Sequence, residues 1–264
     1  MCRLRSIALA VLLSCLPLLS LAADDEKVVS IATLPGYSPY CFYKPDADNQ
    51  TWDRVPPGSD SRVFQGYSWD VIRESFHAAG YTLQLRIVPW SRAMYEIKRG
   101  KVELLFPAGK NAARMEYMDY STEPVNAVDF LIYTDGDSDF EWDGLESLAG
   151  QTIGAARGWN FGDRWEQQSG FEKQLVDSIE QGFRMLDEGR IDGFAGYEVV
   201  WDYKIREMDR SGEFAKTPAF DETREFVTAL KSNPRGKQLL AAFDRGKRII
   251  TENGTMEEIA ARWR

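Results

Sequence analysis

Histidine and cysteine are nearly absent from this 264-residue chain: His77 is the single histidine, and two of the three cysteines, Cys2 and Cys15, fall in an apolar N-terminal stretch. Cys41 is the only cysteine beyond that stretch, so the remainder cannot form an intrachain disulfide. Zinc clusters, Cys–His nucleophile pairs and most schemes with a histidine base lack the residues to build them. His77 falls at the end of a helical segment before Gly80, a position that needs no functional explanation. Basic excess is missing too. The formal charge is −9, which disfavours nucleic acid and anionic membrane surfaces as partners. Past the N-terminal stretch no segment approaches the ~20 apolar residues of a membrane span, and no calcium loop of the Asp-x-Asp-x-Asp type occurs.

What is present begins with a leader. Arg3 and Arg5 precede an apolar run over residues 7–22, followed by Asp24, Asp25, Glu26 and Lys27. A basic start, a short apolar core and small residues at Ser20 and Ala22 predict a cleavable signal peptide over residues 1–22 and a periplasmic mature chain. Cys15 suggests lipidation as an alternative, but the apolar run continues well beyond it.

Apolar periodicity then predicts alternating strands and helices. Residues 28–32 read as a strand, followed by the aromatic loop Tyr37-Ser38-Pro39-Tyr40-Cys41-Phe42-Tyr43 and a polar stretch, residues 44–65, that reads as one long loop. Ser68 suits an N-cap for a helix carrying Trp69, Ile72 and Phe76, and residues 81–88 form a strand. Trp90, Ala93 or Met94, and Ile97 recur at helical spacing; Gly100 stops the helix, and residues 102–106 read as a buried strand. The same order returns at Ile179, Phe183, Leu186 and Gly189, followed by residues 190–195. Two related units of this kind predict two α/β lobes around a shared cleft. Further strands are expected at residues 130–133, 152–156 and 225–230, and two helices at the C-terminus.

Two local features point to an anion. Arg114 stands alone ahead of a strand-like segment, where its planar fork suits a carboxylate, although Glu116 and Asp119 offer it ordinary ion pairs. Gly158, in Arg157-Gly158-Trp159-Asn160, lies at a strand-to-helix turn where backbone amides can approach an anion.

Taken in order, Tyr37-Ser38-Pro39-Tyr40, Gly66-Tyr67-Ser68-Trp69-Asp70, the helix and strand of residues 90–103, Arg114 with Asp119-Tyr120-Ser121, residues 150–158 and 189–192, and Glu252-Asn253-Gly254-Thr255 resemble the family 3 extracytoplasmic solute-binding proteins, the periplasmic receptors of polar amino acid ABC importers. The resemblance implies a two-lobed α/β fold of the type II periplasmic-binding-protein kind, with two crossing segments. Lobe 1 would take residues 24–126 plus 224–264, and lobe 2 residues 127–223. It also implies a monomer with no cofactor, which captures a small carboxylate or amino acid and presents it to a membrane permease or a membrane sensor. Arg114 matches the family's carboxylate-binding arginine, and Tyr37 and Trp90 match its cleft walls. Gly158 and Trp159 match the turn of the second lobe that reaches the ligand, with Trp159 where the family often has threonine. At the position of the aspartate that pairs with the ligand's α-ammonium stands Tyr197, with Glu198 next to it. Either Glu198 takes over the cation or the ligand lacks an α-amino group. The same fold also resembles exported cyclohexadienyl dehydratase, an alternative in which Glu198 would serve as acid or base.

Overall fold

The computed structural model describes residues 27–263; the expected signal peptide, residues 1–22, lies outside them. Its first half runs β1 (Val28–Thr33), β2 (Phe42–Tyr43), β3 (Trp52–Val55), β4 (Phe64–Gln65), α1 (Tyr67–Ala78), β5 (Thr82–Ile87), α2 (Trp90–Lys98), β6 (Leu104–Gly109) and the one-turn helix α3 (Ala112–Met115). An 18-residue strand, β7 (Met118–Asp135), leads out of it. The next part holds β8 (Thr152–Ala156), α4 (Asp163–Glu166), β9 (Glu172–Val176), α5 (Ile179–Asp187), β10 (Gly193–Tyr197), α6 (Glu198–Glu207) and β11 (Phe214–Lys216). The chain returns through β12 (Asp221–Leu230) and ends in α7 (Gly236–Glu252) and α8 (Thr255–Trp263).

These strands build a mixed sheet in the order β3-β5-β1-β6-β12-β7-β10-β8-β9, with β11 on β7. Each flank contains a parallel set: β1 between β5 and β6 on one side, and β8 between β10 and β9 on the other. Their near-continuous apolar burial is what parallel strands covered on both faces require. Between the flanks β7 and β12 run antiparallel, and their register slips on either side of Phe226, opposite residues 120–126. The slip lies beside positions 126 and 224, where the resemblance divides the lobes.

Helix α1 covers one flank. Trp69, Ile72 and Phe76 are fully buried, and Phe76 packs on Phe243 of α7 at 6.0 Å between ring centroids. Each such burial contributes about 2 kcal/mol. Gly246 permits the close approach, because a Cβ there would lie 1.8 Å from the Ser75 carbonyl.

Three local expectations need correction. Residues 44–65 are not one loop: β3 pairs antiparallel with β5, β4 pairs with β2, and His77 Nε2 lies 3.2 Å from the Val55 carbonyl. Ser68 does not cap α1. Gly66 does, at φ 134°, because a Cβ there would meet the Tyr40 carbonyl at 2.2 Å, while Ser68 turns inward as a buried residue. The strand expected over residues 130–133 extends back to Met118; its first half is mostly polar and carries no apolar run that would mark it as a strand.

Candidate functional site

A cavity of about 440 Å³ opens where the two flanks of the sheet meet. One wall comes from the loop after β1, the start of α2, the end of β6 and α3; the opposite wall comes from the turn after β8 and the end of β10, with β12 between. Tyr37, Trp90, Arg114, Gly158, Trp159 and Tyr197 all line it.

Arg114 is positioned by a local device. Asn111 caps α3 by accepting the Arg114 backbone N–H at 2.8 Å, and Arg114 Nη1 donates to the Gly109 carbonyl at 3.1 Å. The guanidinium also lies 5.4 Å from the centre of the Trp90 ring. Among the described residues no carboxylate approaches it within ion-pair distance, neither Glu116 nor Asp119 included. Most of its five donors are therefore free for an anion. Arg157, on the same rim, is instead paired with Asp177 at 2.8 Å.

Aromatic rings make the roof. Tyr37 meets Trp159 at 5.6 Å and Tyr197 at 6.4 Å between centroids, and Trp159 meets Tyr197 edge-on at 4.8 Å. The Tyr197 hydroxyl donates to the Asn160 carbonyl, which ties β10 to the turn carrying Gly158, at φ 79°, and Trp159. Burial pushes the Tyr37 and Tyr197 phenols well above their usual range, so both stay protonated donors.

Glu198 does not join them. Tyr197 ends β10 and Glu198 begins α6, so the two neighbours point apart. The Glu198 carboxylate accepts from Lys216 Nζ at 2.8 Å, and the same ammonium bonds Asp202 at 2.8 Å. Glu198 is outside the cavity lining.

Glu225 was not expected and is there instead. It lies on β12, paired across the ladder with Gly109 of β6 and Asn126 of β7. Its Oε2 accepts from the Tyr37 hydroxyl at 3.0 Å and from Asn126 Nδ2 at 2.8 Å; Asn126 Nδ2 also reaches Ser68 Oγ at 3.0 Å. Burial raises its pKa to about 7, against the opposing pull of those two hydrogen bonds and the Arg114 charge. In the sequence it heads the largely apolar stretch of residues 226–230, where an acid at a strand's edge reads as solvent-facing. An acid abutting a crossing segment was the one available signal.

The fold is that of periplasmic binding proteins. A histidine kinase sensor domain similar to those proteins superimposes with a TM-score of 0.72 at 21% identity, over 91% of this chain and 97% of that one. An amino acid ABC transporter substrate-binding protein from Streptococcus pneumoniae, bound to L-arginine, gives a TM-score of 0.65 at 17% identity, over 88% and 92% of the two chains. The VFT2 domain of Bordetella pertussis BvgS gives 0.69 at 16% identity, over 90% and 93%. No curated protein sequence matches the chain. The family profile of the bacterial extracellular solute-binding proteins, family 3, matches residues 29–264, and the chain belongs to that family.

Proposed function

We propose that the chain is a periplasmic receptor that captures a small carboxylate-bearing solute, an amino acid or a derivative of one, and delivers it as a monomer to the permease of an ABC importer. The observation that carries this is the Arg114 guanidinium: it lines the cavity, is held in place by Gly109 and Trp90, and has no carboxylate partner among the described residues. A ligand carboxylate supplies that partner, and charge-assisted bidentate bonds to a guanidinium are strong. Trp90, Tyr37, Trp159 and Tyr197 would pack on the rest of the ligand, each good aromatic contact contributing about 0.5–1.5 kcal/mol. The L-arginine found in the Streptococcus pneumoniae neighbour carries both a carboxylate and an amine, as any amino acid solute would.

Binding without turnover fits the placement of Glu198, the group a dehydratase would have used, since its carboxylate is committed to Lys216. A thermal-shift screen of protein refolded free of carried-over ligand tests the proposal. Amino acids or simple carboxylates should raise the melting temperature, and Arg114→Ala should abolish the shift. An undiminished shift in that variant would refute the site. The histidine kinase sensor domain among the structural neighbours makes a signalling partner the competing destination. Neighbouring genes for a permease and ATPase support import; a receptor kinase gene points to sensing.

A further inference from the structure

We propose that Glu225 accepts the cationic group of the ligand, in place of the aspartate that this chain lacks at Tyr197, so that the ligand is an amine-bearing carboxylate. This rests on the receptor reading of the same cavity and adds the second charge to it.

The arrangement supports a zwitterion in three ways. First, Glu225 is the one acid among the described residues that line the cavity, and Arg114 is the cation there without an acid partner. Second, the two are tied to the same point of the sheet: Glu225 faces Gly109 across the β12–β6 ladder, and the Gly109 carbonyl holds Arg114 Nη1. An α-carboxylate on Arg114 therefore leaves an adjacent ammonium near β12. Third, hydrogen bonding around Glu225 is short of donors. Both bonds it accepts go to Oε2, from neutral groups, and no cation pairs with it among the described residues. The Asn126 side chain that supports it has its own buried Oδ1 without a partner. An ammonium brings three donors and a positive charge to a buried carboxyl whose ionised form is otherwise costly.

The other acid near the end of β10, Glu198, is bonded to Lys216 and lies outside the cavity lining. A purely structural Glu225 would hold Tyr37 and Asn126 as well if it were a glutamine, so Glu225→Gln separates the two roles.

Isothermal titration with matched probes tests this: the common L-amino acids and their amine-free counterparts, such as 3-phenylpropionate for L-phenylalanine and glutarate for L-glutamate. In the wild-type protein the amino acid that binds should do so about 100-fold more tightly than its amine-free counterpart. Glu225→Gln should lose about 100-fold for the amino acid while binding the amine-free acid within about threefold of wild type. Arg114→Ala should lose both, and circular dichroism establishes that each variant is folded. Unchanged amino acid affinity in Glu225→Gln, or equally tight binding of the amine-free acid by wild type, overturns the role of Glu225 and leaves the receptor standing. Failure of both probe sets to bind overturns both.

Discussion

Glu225 shapes stability as well as selectivity. An unfolded glutamate titrates near 4.5, and in the fold burial moves Glu225 up to about 7. Between those values the folded protein holds a proton that the unfolded chain has released, so stability falls as pH rises through the window, by on the order of 3 kcal/mol in all. The phenols of Tyr37, Tyr40 and Tyr197 and the thiol of Cys41 beside it are all pushed upward by burial and stay neutral there, so none of them titrates in this window. Glu225→Gln should therefore raise the ligand-free melting temperature at pH 8 and change it much less at pH 5. Calorimetry at the two pH values checks this, and an equal difference at both would contradict it. At this scale Arg114, Tyr37, Trp90, Trp159 and Tyr197 were legible because the family pattern places them in order. Glu198 misled because adjacency in sequence does not say which way a side chain turns at a strand-to-helix junction. Glu225 was silent because an acid at the head of an apolar strand looks like an edge.

Elements were legible where one face is continuously apolar. The helices α2, α5 and α7 and the strand β8 follow their periodicity and glycine stops closely. Residues 44–65 and the first half of β7 were not, because edge strands and crossing strands carry polar residues that satisfy the ladder without an apolar run. Two backbone devices set where these elements sit. At Gly66 an alanine would meet the Tyr40 carbonyl at 2.2 Å while strained by φ 134°. Gly66→Ala should destabilise the protein by about 2–5 kcal/mol and loosen the aromatic loop that carries Tyr37. On the crossing strand, the Asp244 carboxylate of α7 accepts the backbone N–H groups of Thr122, at 3.0 and 3.1 Å, and of Glu123 at 2.9 Å, where the β7–β12 register slips. Asp244→Ala should cost about 2–3 kcal/mol by leaving those donors unpaired, read as a lower urea midpoint with little change in slope. A cost near zero would mean that water replaces the carboxylate.

For the whole molecule, the cavity exists only because two parallel flanks are joined through β7 and β12, and its lining comes from segments as distant as Tyr37 and Glu225. Local patterns showed the parts, and the family resemblance supplied their order, but neither could bring β12 against β6 and so place an acid beside the arginine's anchor. Family 3 membership fixes a solute-binding domain, while the unpaired charges suggest what kind of solute it takes. The decisive observation is a crystal structure of the protein with the tightest-binding compound of the thermal-shift screen. The ligand carboxylate should lie across the Arg114 guanidinium with two N–O distances of about 2.7–2.9 Å, beneath Trp90 and Trp159. A ligand bound with its carboxylate elsewhere, and Arg114 still held only by Gly109, would contradict the assignment of this cavity as a carboxylate receptor.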